Sequence, residues 1–192
     1  MDKFRVLIAE DEALVAMGLA AMVENLGHEV VGKARNGKEA ITLAGRILPD
    51  LIITDIKMPG MDGLTALETI LAKRGVPVIV LTAYSDTKLI QEADELGVAA
   101  YLAKPVSETA LKPAIALAVS RYQQLQLLKE EVGSLKDALE DRKMVERAKG
   151  IIMEKQKLSE GEAFRFLQKH SSKRNMKMAE LSRMIINASE LF

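Results

Sequence analysis

The stretch LIITDIKMPGMDG, residues 51–63, decides the fold. Leu51, Ile52, Ile53 and Thr54 are β-favouring and apolar on both faces. That pattern marks a strand buried inside a parallel sheet rather than one with a wet face. An acid, Asp55, follows directly. Then comes a turn built on Met58, Pro59, Gly60 and Gly63, and then a helical pattern over Leu64–Arg74. Outward from this strand–turn–helix unit the same alternation recurs. Short apolar runs lie at Phe4–Ala9, Glu29–Gly32, Val78–Thr82 and Ala99–Ala103. Helical patterns lie at Leu14–Leu26, Gly37–Ile47, Thr87–Leu96 and from Glu108 onward. Gly27, Gly75 and Gly97 stand where helix C-terminal glycines are expected. Five such alternations predict a doubly wound α/β fold with a five-stranded parallel sheet. Right-handed crossovers favour the strand order 2-1-3-4-5.

In that order, polar residues that end neighbouring strands share one edge. Glu10 and Asp11 follow the first strand, Asp55 the third, Thr82 ends the fourth and Lys104 the fifth. The carboxyl edge of an open parallel sheet is where sites form. Three acids there supply the hard oxygen ligands that Mg²⁺ prefers. Without a cation, three close carboxylates repel one another and their pKa values rise. A carboxylate beside Mg²⁺ can attack phosphorus to give an acyl phosphate, with a Lys ammonium neutralising the phosphoryl oxygens. Thr82 could donate a hydroxyl hydrogen bond to that group. Lys104 precedes Pro105, where a cis bond is expected to aim the ammonium into the site.

Composition narrows the choices. The 192 residues make one large domain or two small ones, and 48% apolar with 28% charged residues suits a chain that buries a core. Cys is absent and His occurs twice, which excludes disulfides, thiolate chemistry and a His-rich metal centre. No run approaches the ~18–20 apolar residues of a bilayer span. The start of the chain turns acidic without a signal-peptide pattern, so a cytoplasmic location is expected. The zero net charge hides an asymmetry. Residues 1–141 carry 15 Lys+Arg against 21 Asp+Glu, whereas residues 142–192 carry 12 against 6. A basic tail on an acidic body points to two modules, the second facing a polyanion or an acidic partner.

The last helix of the α/β unit continues past its domain. Leu125, Leu128, Val132, Leu135 and Leu139 step by three and four, an a/d seam flanked by Lys129, Glu130, Glu131, Lys136 and Asp137. A short dimeric coiled coil is expected there. Ser159, ahead of Glu160 and Glu162, marks a further helix start. Its apolar stripe is Ala163, Phe164, Phe166, Leu167 and His170, with Phe164 assigned to the core. A polar break at residues 171–175 leads to a last helix over Met178–Leu191, with Leu181, Met184, Ile185 and Ala188 on one face.

The motifs IAEDE, ITDIKMPGMDG, VIVLTAY and YLAKP stand in the order and spacing of the receiver domain of two-component response regulators, and residues 3–122 resemble that domain throughout. The resemblance implies a flavodoxin-like receiver in which Asp55 accepts the phosphoryl group. It further implies Mg²⁺ held by Glu10, Asp11, Asp55 and the backbone carbonyl of Lys57. Thr82 is then the switch hydroxyl, Lys104 the phosphate-pairing cation and Tyr101 the aromatic that reorients. Glu10 stands where the family often has Asp. The tail run RKMVERAKGIIME with LSEGEAFRFL, residues 142–154 and 158–167, resembles the ANTAR domain of transcription antitermination regulators. It departs from that family at Lys169-His170 and Leu181-Ser182, where small apolar residues are more usual.

These readings divide the chain into a receiver at 1–122, a coiled-coil linker at 123–141 and an ANTAR-like helical domain at 142–192. The expected cations for RNA are Arg142, Lys143, Arg147, Lys149, Lys173 and Arg174, with Lys177 beside them. Hairpin loops offer unstacked bases and phosphates for such a surface. Ala148 and Gly150 read as small residues that allow close approach of helices or RNA. The resemblances together imply a phosphorylation-controlled regulator, not an enzyme, that dimerises and binds hairpins in nascent transcripts to cause antitermination. A sensor histidine kinase is the implied upstream partner. Two rival readings are a tail for protein interaction or DNA binding, its helices 159–170 and 178–190 mimicking a helix-turn-helix, and a Mg²⁺-dependent phosphatase, the latter disfavoured for want of insertions to cap a substrate.

Overall fold

The computed structural model describes residues 3–83, 91–93 and 95–189. Five strands form one parallel sheet in the order β2-β1-β3-β4-β5. They are β1 Arg5–Ala9, β2 Glu29–Ala34, β3 Leu51–Asp55, β4 Val78–Thr82 and β5 Ala100–Ala103. Between and after them run α1 Ala13–Asn25, α2 Gly37–Ile47, α3 Gly63–Lys73, α4 Glu108–Gln156, α5 Glu160–Lys173 and α6 Met178–Ser189. The chain divides into two compact units, residues 1–126 and 127–192, and the division falls within α4.

In the first unit every residue of β3 and β4 is buried. Side chains alternate across the sheet with the two-residue period of a strand. Val6, Ile8, Leu51, Ile53, Ile79 and Leu81 face one side, where Leu19 and Val23 of α1 and Leu111, Ile115 and Ala118 of α4 cover them. Leu7, Ile52, Val78 and Val80 face the other, against Ala44 of α2 and Leu64, Leu67 and Ile70 of α3. This is why these strands read as unbroken apolar runs.

Several boundaries differ from the sequence reading. β2 extends two residues beyond Gly32, through Lys33 to Ala34, with a register shift opposite Val6/Leu7. It is an edge strand, so an exposed Lys33 is tolerated there. Gly27 and Gly97 do adopt the left-handed conformation (φ +87° and +78°) that ends helices. Gly75 does not. α3 stops at Lys73, and Gly75 ends no helix; a Cβ there would meet the tip of the Tyr122 side chain at 2.9 Å. Of the Thr87–Leu96 pattern, Gln91–Ala93 and Glu95 are helical, and the rest of it apart from Leu96 lies outside the described residues. The 190–192 end of the last expected helix also lies outside them.

In the second unit Ala148 and Ile152 of α4, Ala163 and Leu167 of α5, and Leu181 and Ile186 of α6 form the core. α5 starts with a capping box in which the Glu162 carboxylate accepts from the backbone N–H (2.9 Å) and hydroxyl (2.5 Å) of Ser159. The break placed at 171–175 begins later. Ser171, Ser172 and Lys173 remain helical, and the chain turns at Asn175 with φ +49°. On α6 the buried stripe is Ala179, Leu181, Ser182 and Ile186, while Met184 and Ala188 are exposed. Hydropathy missed the true face because one of its members is a serine. Ser182 is 0% exposed, and its hydroxyl donates to the Met178 carbonyl at 2.8 Å, so burial leaves no unmet donor.

Candidate functional site

The carboxyl edge of the first unit gathers residues from four strands. Parallel register sets Ala9 beside Thr54, Asp55 beside Leu81 and Thr82 beside Ala103. The residues that end these strands therefore converge. Carboxylate oxygens of Glu10, Asp11 and Asp55 lie within 4.8 Å of one another. Glu10 is 1% exposed and Asp55 is buried, while Asp11 faces solvent. Lys104 Nζ lies 2.6 Å from Asp55 Oδ2 and 2.7 Å from Glu10 Oε2. The contact to Asp55 is an aligned hydrogen bond. That to Glu10 is a close pairing of charges, and Oε2 has no aligned donor among the described residues. The peptide bond between Lys104 and Pro105 is cis.

The electrostatics follow from this packing. Burial pushes the Glu10 carboxyl above its ordinary pKa, more than Lys104 pulls it down, and Asp55 adds to the rise. Burial would lower the Lys104 ammonium, but its bonds to Asp55 and Glu10 outweigh that and hold it above the usual lysine range. Three carboxylates against one ammonium leave two negative charges at this edge when all are ionised. A divalent cation fits that balance, and the donor set is entirely hard oxygen.

The turn after β3 is shaped for close approach. A Cβ at Gly63 would lie 2.0 Å from the Asp55 carbonyl oxygen, so only glycine fits, and Gly63 N–H donates to the Ile56 carbonyl at 2.8 Å. Asp62 then caps α3 by accepting from Thr65 N–H at 2.8 Å. The Pro-Gly turn is thereby pinned beside Asp55. Asp55 Oδ1 accepts from the Lys57 backbone N–H at 3.2 Å. Thr82 is buried at the end of β4, with its hydroxyl donating to the Ala83 carbonyl at 3.0 Å. Tyr101 is half-buried on β5 against the α3 side of the sheet.

The cations singled out in the tail fall into two groups. Arg142, Lys143, Arg147, Lys173, Arg174 and Lys177 are exposed. Lys143 pairs with Glu140 at 2.7 Å, one turn away. Lys149 differs. It is 7% exposed, and its ammonium meets Glu146 and Glu160, each at 2.8 Å, which raises its pKa and ties α4 to the start of α5. A second tie between helices is Asp141 to Arg183, at 2.8 Å. Ala148 is fully buried and lets helices approach, whereas Gly150 is exposed with open space where a Cβ would stand. Phe164, assigned to the core from its pattern, is 43% exposed. Phe166 packs inward instead and stacks on His170 with ring centroids 4.2 Å apart. The i−3 carboxylate of Lys149 was visible in the sequence; nothing local signalled which phenylalanine would turn outward.

Comparison with known proteins assigns the two parts. Residues 6–116 match the response regulator receiver domain, and residues 133–186 match the ANTAR domain. The chain belongs to the response regulators, with a receiver domain followed by a C-terminal ANTAR domain. Over 182 residues it is 46% identical to the transcriptional regulatory protein PdtaR of Mycobacterium tuberculosis, covering 95% of this chain and 89% of that one. Among solved structures it is similar to the receiver domain of a modulated diguanylate cyclase from Desulfovibrio desulfuricans, with TM-score 0.60 and 33% identity over 64% of this chain and 98% of that one. The receiver domain of AraT from Geobacillus stearothermophilus is likewise similar, with TM-score 0.58 and 35% identity, over 65% of this chain and 99% of that one. Among the described residues, no helix is long and apolar enough to cross a membrane.

Proposed function

We propose that this protein is a phosphorylation-controlled, cytoplasmic regulator that binds hairpin RNA in nascent transcripts and causes antitermination. The observation that carries the reading is Lys104 bridging Glu10 and Asp55 at a three-carboxylate edge, in a chain whose second domain is ANTAR. A sensor histidine kinase supplies the phosphoryl group. An Asp55 carboxylate oxygen attacks phosphorus, the phosphorus–nitrogen bond to the donor histidine breaks, and an acyl phosphate forms. Glu10, Asp11, Asp55 and the Lys57 carbonyl are the residues to hold Mg²⁺, which when bound neutralises charge on the transferring phosphoryl oxygens.

Lys104 exchanges its Asp55 partner for a phosphoryl oxygen. Thr82 donates its hydroxyl hydrogen bond to the same group in place of the Ala83 carbonyl, and Tyr101 reorients. The phosphoryl group shifts populations only by contacting the active state better than the resting one. The apolar side chains of Leu125, Leu128, Val132, Leu135 and Leu139 are all exposed along α4, an unpaired seam on which two phosphorylated copies associate. The paired tails then bind hairpins through Arg142, Lys143, Arg147, Lys173 and Arg174, and stabilise an antiterminator over a terminator. Lys149 serves this surface by positioning helices.

The test is hairpin binding by wild type and Asp55→Asn, with and without acetyl phosphate and Mg²⁺. Wild type is expected to tighten and become dimeric by light scattering, and Asp55→Asn to do neither. Equal responses of the two proteins remove phosphorylation control. Equal affinity of wild type for hairpin RNA and duplex DNA at one salt concentration removes the RNA reading.

A further inference from the structure

Phe164 presents an aromatic ring to solvent from a helix whose other phenylalanine, Phe166, does the packing. Its surroundings are specific. Gln168 follows it by four residues and lies three beyond Arg165, so ring, amide and guanidinium share one contiguous exposed face of α5. Lys169, four residues from Arg165, extends that face. Ala163, Leu167 and Ser171 form the buried stripe, and Phe164 stands at its border, where the exposed face begins. From Ala163 to Ala179 there is no acid, against five cations: Arg165, Lys169, Lys173, Arg174 and Lys177. The acids in the first turn are already engaged, Glu160 by Lys149 and Glu162 by Ser159.

This combination selects one class of occupant. An apolar protein partner has no use for five cations of which Arg165 alone has an acid, Glu162, one turn away. A duplex keeps its bases stacked and offers nothing for an isolated ring. An unpaired loop base offers a π-face for Phe164 and a hydrogen-bonding edge for Gln168, and the flanking phosphates suit Arg165 and Lys169. We propose that the exposed face of α5 is the loop-reading surface of the tail, with Phe164 as the platform on which one unpaired RNA base stacks and Gln168 reading that base's edge. This rests on the RNA reading above and names the residues that carry its sequence preference.

The experiment uses the full chain with Mg²⁺ and beryllium fluoride. The probe is a stem-loop RNA selected by wild type from a pool with a fixed stem and randomised loop, then remade with 2-aminopurine at each loop position in turn. Wild type is expected to quench the fluorophore at one loop position. Phe164→Ala is expected to lose that quench and to weaken binding about tenfold or more. Phe164→Trp keeps both, and Phe164→Leu, which retains apolar area and fold, loses both. The salt dependence of Phe164→Ala stays parallel to wild type, whereas Lys169→Ala lowers the slope by about one. Gln168→Ala relaxes preference at the quenched position with a smaller loss.

Wild-type affinity and quench in folded Phe164→Ala or Phe164→Leu overturn the proposal and leave the RNA reading standing. Failure of wild type to enrich any loop sequence overturns both. Changed self-association of the RNA-free variants with unchanged RNA affinity assigns the face to a second copy and overturns the proposal.

Discussion

The receiver edge and the tail face handle charge in opposite ways. At the edge, Glu10 and Asp55 are buried, Lys104 is inserted between them, and residues far apart in the chain meet within a few ångströms. In the tail, most cations project into water from the end of α4, from α5 and from the turn after it, and among the described residues just one, Lys149, has a buried stem. A buried cluster is suited to a single small, highly charged ligand, because low effective dielectric magnifies each added charge. A spread of exposed cations suits an extended polyanion, because each contact is weak and their sum is large.

That contrast can be broken most forcefully in the tail core. Leu167→Ala removes a fully buried side chain from a small bundle and is expected to destabilise it by about 2–5 kcal/mol. In a bundle this small that loss unfolds most of the population, so helicity and hairpin binding fall together while the receiver's own melting transition remains. A single transition shifted as a whole would show that the two units do not melt independently.

At the edge, Mg²⁺ is expected to raise the receiver's melting temperature in proportion to the logarithm of its concentration above Kd. Asp11→Asn removes an exposed carboxylate of the cluster and should flatten that response with little change in metal-free stability. Calorimetry at several Mg²⁺ concentrations reads it, and an undiminished response excludes Asp11 as a ligand.

Lys149 sharpens the boundary between the two behaviours. Lys149→Met keeps the buried stem and removes the ammonium, whose partners Glu146 and Glu160 are exposed, and ion pairs to exposed carboxylates contribute little. Hairpin affinity is expected to stay within about twofold, whereas Arg174→Ala loses affinity and salt slope. A large loss at constant helicity would place Lys149 on phosphate after all.

The smallest effect is that of the α5 cap. The bond from the Ser159 hydroxyl, then that from its backbone N–H, holds the Glu162 carboxyl below its usual pKa. A depressed folded pKa contributes stability that is present above the unfolded value of ~4.3 and is lost as pH falls through the folded one. Glu162→Gln can still accept from Ser159 but does not titrate. Thermal melts should therefore show a small deficit at neutral pH that vanishes on acidification. A deficit independent of pH would mean that the carboxylate's charge plays no part.

The sheet order and the convergence of Glu10, Asp11, Asp55 and Lys104 were legible because strand period and strand ends are local signals, and parallel topology maps strand ends onto one edge. Glu10's acceptor without an aligned donor was not legible, since burial depends on what β2 and α4 contribute from elsewhere. In the tail the helices were legible and their faces were not. Phe164 and Phe166 are chemically identical, two residues apart, and point opposite ways. Ser182 is buried although serine usually is not.

The amino-acid order alone determined which segments are strands and helices, which residues end the strands, and that a basic module follows an acidic one, because each of these is set by nearest neighbours and short periods. Three-dimensional packing alone decided that the Lys149 stem is covered and its ammonium reaches Glu160 of α5, while Phe164 turns outward. Which side of a helix is buried depends on the surfaces brought against it, and those come from residues remote in the chain.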